Sequence, residues 1–287
     1  MQNKPWFVTE EKLKFAIQQA FIEDIGSGDH STLAIIPLDT QDSAQLLVKD
    51  TGILAGVELA QFIFHQYDPE LRIEHLIADG TAVQPGDIAF RVHGSARSIL
   101  STERLVLNCM QRMGGIASLT HTMAAQIAHT QAKLLDTRKT TPNFRLFEKW
   151  AVSIGGGHNH RFGLYDMIML KDNHIDFAGG ITRAVQQTRD YLEKHNLQLA
   201  IEVETRNMAE VEEALRVQPD RIMLDNFSIE DTAKAVILID QACETEASGG
   251  ITLQTLKEVA ETGVDYISSG ALTHSAHNMD LSLKAIS

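Results

Sequence analysis

From about residue 116 onward, short apolar runs alternate with helix-patterned stretches, and no other feature of the chain constrains its fold as much. The apolar runs fall at residues 134–136, 166–170, 199–203, 222–224, about 245–248 and 264–268. The helix-patterned stretches fall at 144–152, 181–195, 208–217, 229–239 and 253–262, and one more ends near Thr130. Strand followed by helix, recurring at roughly 20 to 35 residues, is the pattern of a parallel sheet, because parallel neighbours need a crossover long enough to hold a helix. About six strands are counted this way and one more is suspected, so an incomplete or seven-stranded α/β barrel fits best. A doubly wound open sheet uses the same alternation, and periodicity does not separate the two.

The residues before about Gly115 have another texture. Thr9 is a helix cap with Glu10 and Glu11 in the first turn, and Leu13, Ile17 and Phe21 recur at helical spacing. Gly26-Ser27-Gly28-Asp29 reads as a turn-rich loop. Apolar stretches at 44–48, 71–77 and 88–92 read as strands, with Pro85-Gly86-Asp87 as a turn and 57–66 as a helix. The pattern is a small α+β layer preceding the alternating region. With 287 residues, 44% hydrophobic and 22% charged, the chain has enough apolar content for a substantial core.

Charge excludes several function classes. Lys plus Arg is 25 and Asp plus Glu is 38, a net charge of −13. Such a chain has no broad basic face for nucleic acid and would be repelled by anionic lipid. No apolar run approaches the roughly 20 residues of a membrane span. Met1-Gln2-Asn3-Lys4-Pro5-Trp6 lacks the apolar core of a signal peptide. Cys109 and Cys243 show neither metal spacing nor a disulfide framework, which fits a reducing cytoplasm.

In α/β barrels the chemistry sits at the C-terminal strand ends, and nearly every strand here ends in polar residues or glycine. Thr137, Arg138, Lys139 and Thr140 follow the first; Lys171 and Asp172 follow the second; Glu204 ends the third; Asp225 and Asn226 close the fourth. Ser248-Gly249-Gly250 and Ser269-Gly270 follow the last two. Polar strand ends are common, but one rim here collects cations, two carboxylates and two glycine turns. From Lys133 to Lys171 the acids are only Asp136, Glu148 and Asp166, against Lys133, Arg138, Lys139, Arg145, Lys149, Arg161 and Lys171. This basic island in an acidic chain suits a small polyanion. Glu148 is expected to pair with Arg145 or Lys149 along its helix, which leaves Arg138, Lys139, Arg161 and Lys171 for the site.

Gly155-Gly156-Gly157-His158-Asn159-His160-Arg161 has three readings. The glycines allow close backbone approach to a ligand, with His160 and Arg161 donating to carboxylates. Alternatively the run is a helix C-cap loop, or His158 and His160 are metal ligands. The glycine turns at Ser248 and Ser269 suit phosphate cradles. Glu204 and Asp225 suit Mg²⁺ beside a pyrophosphate or the hydroxyls of a ribose, or else cap the next helices.

Taken together the motifs resemble those of the quinolinate phosphoribosyltransferase family. The resemblance covers almost the whole chain and rests on Glu23-Asp24-Ile25-Gly26-Ser27-Gly28-Asp29, Glu103-Arg104 with Asn108, and Asp136-Thr137-Arg138-Lys139-Thr140-Thr141-Pro142. It continues through Gly155 to Arg161, Lys171-Asp172-Asn173-His174, Glu202-Val203-Glu204, Leu224-Asp225-Asn226, Ser248-Gly249-Gly250 and Gly270-Ala271-Leu272-Thr273. Asn143 stands where the family usually has Gly, and Ser269 where an apolar residue is usual; Asn tolerates positive φ.

The resemblance implies an N-terminal α/β sandwich, residues 1–115 joined by the tail 272–287, and an incomplete, about seven-stranded α/β barrel over 116–271. It implies transfer of phosphoribosyl from phosphoribosyl pyrophosphate to quinolinate with decarboxylation, in a homodimer or higher oligomer where Arg104 reaches the neighbouring site. Arg104, Arg138, Lys139, His160, Arg161 and Lys171 would surround quinolinate. Glu204, Asp225, Ser248, Gly249, Gly250, Ser269 and Gly270 would serve the phosphoribosyl donor, with Mg²⁺ on Glu204 and Asp225. Lys139, Lys171, Glu204 and Asp225 would be catalytic, and no organic cofactor is expected. A metal-dependent barrel hydrolase, a non-catalytic phospho-ligand sensor and a transferase for another acidic heterocycle are the competing readings.

Overall fold

The structure, a computed structural model, describes residues 4–286; Met1 to Asn3, part of the segment read as lacking a signal's apolar core, and Ser287 lie outside it. The chain divides into two compact units, Met1–His121 with Thr140–Gly156 and Leu272–Ser287, and Thr122–Lys139 with Gly157–Ala271.

In the first unit α1 (Glu10–Asp24) starts at Thr9, whose side chain accepts from Lys12 N at 3.3 Å. The turn-rich loop that follows leads into a short helix the sequence reading did not include, α2 (His30–Ile35), capped by Asp29, which accepts from Thr32 N at 3.1 Å. Next come β1 (Gln41–Val48), β2 (Gly52–Ile53), α3 (Val57–Tyr67), β3 (Arg72–His75), β4 (Ala82–Val83) and β5 (Ile88–Ser95). β12 (Leu281–Ala285), from the end of the chain, pairs antiparallel with β1, completing a sheet of order β12-β1-β5-β3. β1 buries Ala44, Leu46 and Val48 at period two, and Phe64 of α3 packs edge-on to Phe90 of β5 at 6.0 Å.

α4 (Ala96–Ile127) runs straight through Gly114-Gly115, where the sequence texture had suggested a break. Its apolar face continues across them, with Met110, Met113, Ile116 and Ala117 all buried. The glycines are there for packing: a Cβ on Gly115 would overlap the backbone oxygen of His277, and one on Gly114 would lie 3.1 Å from Met279 Sδ. Gly→Ala inside a helix usually stabilises by up to about 1 kcal/mol. Gly115→Ala is expected to do the reverse, because the backbone clash costs about 1–3 kcal/mol; thermal melting checks it.

The second unit carries β6 (Lys133–Leu135), β7 (Ile168–Leu170), β8 (Ile201–Thr205), β9 (Arg221–Asp225), β10 (Glu244–Ser248) and β11 (Tyr266–Ser268), all parallel, in the order β6-β11-β10-β9-β8-β7. α5 (Arg145–Ile154) groups with the first unit; α6 (Asp172–Ala178), absent from the sequence reading, α7 (Ile181–His195), α8 (Met208–Val217), α9 (Ile229–Ile239) and α10 (Leu256–Ala260) separate the later strands, and α11 (Ala271–His274) follows β11. β11 pairs with β6, so the last strand lies beside the first. Strand order otherwise follows the chain with no reversal, which is barrel order and excludes a doubly wound sheet. The suspected seventh strand is a single parallel bridge, Leu135 to His158. No ladder joins that segment to β7, so the barrel is incomplete there.

Candidate functional site

Side chains alternate along a strand, so Met169 and Lys171, Glu202 and Glu204, Arg221, Met223 and Asp225, Glu244, Glu246 and Ser248, and Tyr266 and Ser268 share the inner face. The upper members of these sets line a cavity of about 600 Å³ at the C-terminal strand ends. Arg138 and Lys139 reach it from the loop after β6, Arg161 from beyond the His158 bridge, and Lys171 from the end of β7. Glu204, Asp225 and the turn Ser248-Gly249-Gly250 reach it from β8, β9 and β10. The sequence-predicted site thus converges on one cavity, apart from Arg104, Ser269 and Gly270. Arg104 is exposed on α4, and Ser269 is buried with its N–H donating to Leu135 O at 3.0 Å, prolonging the β11–β6 ladder.

Local contacts fix the rim. Lys171 Nζ lies 3.0 Å from Glu204 Oε2; Lys171 is half exposed and Glu204 buried. Asn226, with φ 58°, donates its amide to Asp225 Oδ2 at 2.7 Å and its N–H to Ser248 O at 2.9 Å. Neither acid is a helix cap: Asn207 caps α8 and Ser228 caps α9. Asp136, fully buried, accepts from Asn159 Nδ2 at 2.7 Å and His160 N at 2.9 Å and so anchors the loop carrying Arg161. Arg161 donates to Met167 O at 3.3 Å and sits against Met169 Sδ at 3.5 Å; burial, then the charge of Arg138, lowers its pKa.

Two expectations change. The glycines before His158 do not line the cavity. Gly155 caps α5 and packs where a Cβ would overlap Ala117 O, and Gly156 turns the chain with φ 90°, so the helix-end reading holds for both. Glu148 is engaged by Arg112 of α4 at 2.8 Å and by Thr141, 36 and seven residues away rather than one helical turn, while Arg145 donates to Thr140 Oγ1 at 2.8 Å. Asn143 adopts φ 61°, as a residue in a glycine position must.

At the floor of the cavity the predicted residue His160 belongs to a buried cluster whose other members, Glu202, Glu246 and Arg221, were given no role from the sequence. His160 Nε2 is 3.0 Å from Glu202 Oε2 and 3.4 Å from Glu246 Oε2, and Arg221 Nη1 is 2.9 Å from Glu246 Oε2. Burial disfavours the His160 imidazolium, but the two carboxylates outweigh it and raise its pKa to about 9. Burial, then Glu246, pushes Glu202 up to about 7, while hydrogen bonds from His160 and Ser268 and the charge of Arg221 hold Glu246 low against its burial. Arg161 N–H points at His160 Nδ1 at 2.7 Å. That contact needs an unprotonated Nδ1 and so favours the neutral ring with its one proton on Nε2 facing the acids, against the pull of the two carboxylates toward the imidazolium. The available signal was an acid in the middle of β8 and of β10, where parallel strands are ordinarily apolar.

Two donor sets could hold a cation. Glu204 and Asp225 are hard-oxygen donors on adjacent strands at the open cavity. His160, Glu202 and Glu246 also converge, with ligand atoms within 4.8 Å, but Arg221 already supplies positive charge there. His158 is not in that cluster, so the paired-histidine metal reading fails among the described residues. A larger cavity of about 840 Å³ opens by the strand starts, with Asp220, Asp240, Glu244 and Asp265 around it; its charge is wrong for an anion. Among the described residues no helix is long and apolar enough to cross a membrane.

Comparison with known proteins agrees with the geometry. Residues 29–114 match the family model for the quinolinate phosphoribosyl transferase N-terminal domain, and residues 116–284 that for its C-terminal domain. The chain is 49% identical to quinolinate phosphoribosyltransferase [decarboxylating] 1b of Nicotiana tabacum, over 95% of this chain and 82% of that one. It is 42% identical to a probable nicotinate-nucleotide pyrophosphorylase [carboxylating] of Synechocystis, over 98% and 94%. The crystal structure of NadC from Streptococcus pyogenes superposes with a TM-score of 0.91 at 40% identity, over 99% of this chain and 100% of that one.

Proposed function

The chain belongs to the quinolinate phosphoribosyltransferase family, and from that premise we propose that its strand-end cavity transfers phosphoribosyl from phosphoribosyl pyrophosphate to quinolinate. Carbon dioxide and pyrophosphate leave, and nicotinate mononucleotide enters NAD biosynthesis. The enzyme is a decarboxylating pentosyltransferase. One observation carries the reading: four cations from one arc of the barrel face two carboxylates and a glycine turn from the other, in a chain of net charge −13.

Quinolinate brings two carboxylates on one ring, which is why several cations converge. Arg138, Lys139, Arg161 and Lys171 hold them, with His160 beneath. The turn Ser248-Gly249-Gly250 serves the phosphates of the donor. The pyridine nitrogen attacks the anomeric carbon; the bond to pyrophosphate breaks, and its electron pair leaves with the pyrophosphate. Glu204 and Asp225 face the cation developing on the sugar and stabilise it. The quaternised nitrogen then makes the ring an electron sink. The adjacent C–CO₂ bond breaks, its electron pair stays on the ring carbon, and a proton replaces the carboxylate. No organic cofactor is required, because the substrate accepts the electrons. Glu204 and Asp225 also fit Mg²⁺, which when bound neutralises charge on the departing pyrophosphate.

Arg104, exposed on α4, is the residue we assign to a neighbouring subunit's site in a homodimer or higher oligomer. The free thiols Cys109 and Cys243 support a reducing compartment, the cytoplasm. As a division along the sequence we propose sandwich residues 1–115 with tail 272–287 and barrel residues 116–271, although 116–121 and 140–156 group by contact with the first unit.

Protein mixed with Mg²⁺, quinolinate and phosphoribosyl pyrophosphate is expected to yield nicotinate mononucleotide and carbon dioxide in equal amounts. Nicotinate should be used at least about tenfold less efficiently, since it forfeits a charged contact of about 1.5–3 kcal/mol. Equal use of both acids would point to another acceptor, and donor binding without pyrophosphate release would point to a sensor.

A further inference from the structure

We propose that Glu202 and Glu246 are positioning residues: from one layer below the cavity they fix the His160 ring and, through it, Arg161. The proposal rests on the reading of the cavity as the quinolinate site. Neither carboxylate lines the cavity, and both are fully buried. Two buried acids are heavily penalised by desolvation, and an apolar pair would serve a barrel's stability at least as well. Their placement therefore points to position rather than stability.

The need for it is in the topology. The segment carrying His160 and Arg161 joins the sheet through one bridge, Leu135 to His158, and no ladder links it to β7. Hydrogen-bonded strands on both sides fix most barrel rims; on this side only side chains are available. Asp136 takes the His160 N–H, Nδ1 takes the Arg161 N–H, and Glu202 and Glu246 stand 3.0 and 3.4 Å from Nε2 as charge contacts. Arg221 balances Glu246 from β9. Ser268, which lines the cavity from β11, hydrogen-bonds Glu246 as well, so one carboxylate holds lining residues on both sides of the interior. With Nδ1 engaged by Arg161 and Nε2 turned toward the two acids, His160 acts by setting Arg161. Without the acids the ring is free to rotate, and the Arg161 backbone loses its acceptor.

Glu202→Leu keeps the volume and removes the acceptor. It is expected to raise KM for quinolinate about tenfold while KM for phosphoribosyl pyrophosphate stays within about twofold. Glu202→Gln, whose amide oxygen still accepts from Nε2, should restore most of the loss. In an Arg161→Ala background Glu202→Leu should add less than about twofold, because the group it acts through is gone. His160→Leu is the second route and should give the same quinolinate-specific rise. An unchanged quinolinate KM, an equal rise in both KM values, or full multiplication with Arg161→Ala overturns the positioning role. So does failure of both leucine variants to fold, since the acids would then be structural. Absence of turnover in the wild type would overturn the functional reading together with this one, whereas a normal wild type beside an unaffected Glu202→Leu overturns this one alone.

Discussion

Lys171→Ala is expected to lower kcat/KM for quinolinate about hundredfold or more while leaving the fold intact. Two effects act in the same direction. On the proposed assignment the variant forfeits a charge-assisted hydrogen bond to a substrate carboxylate, about 1.5–3 kcal/mol, or about ten- to 150-fold. It also strips Glu204 of the ammonium 3.0 Å away, so that a carboxylate with 8% exposure faces an anionic ligand uncompensated. Stability should barely change, because Lys171 is 49% exposed and such pairs contribute about 0–1 kcal/mol. Lys171→Arg should recover part of the loss. Steady-state kinetics beside a melting curve test this, and a fall of less than about tenfold would remove Lys171 from the site.

The second large effect is expected at Gly249. Its φ is 88°, a conformation side chains rarely adopt, and an added Cβ would overlap the side chain of Asn226 and lie 2.9 Å from that residue's backbone nitrogen. Asn226 is itself bonded to Asp225 and to Ser248. Gly249→Val therefore pushes directly on the carboxylate at the end of β9. Backbone strain costs about 1–3 kcal/mol, and a displacement of about 1 Å in a catalytic group can cost about hundredfold. We expect kcat to fall by about that factor and KM for the phosphoribosyl donor to rise. Gly250 is the control. It has φ 61° and open space around its Cβ position, so Gly250→Asn should cost far less. Equal effects at both positions would mean that the close approach to Asn226 is irrelevant.

These predictions divide the protein into what was readable in one dimension and what was not. Lys171, Glu204, Asp225 and the Ser248 turn were legible because strand period and strand-end polarity are local properties. The close fit of Gly249 to Asn226 was not, because it depends on two neighbouring strands ending level. Gly114-Gly115 misled for a related reason: glycine in a sequence signals a break, but here it admits the returning tail, and only the partner at His277 reveals that. The seventh strand stayed a suspicion because a single bridge leaves no apolar period behind it.

By itself the sequence determined the alternation of strand and helix, the basic island and the polar strand ends, since each is written within a few residues. Only the tertiary structure decided that β11 returns to β6, and that Glu202, Glu246, Arg221 and His160 meet under the cavity. Those four lie on separate segments, and their charges become one cluster only when the sheet curls and water is excluded from its interior.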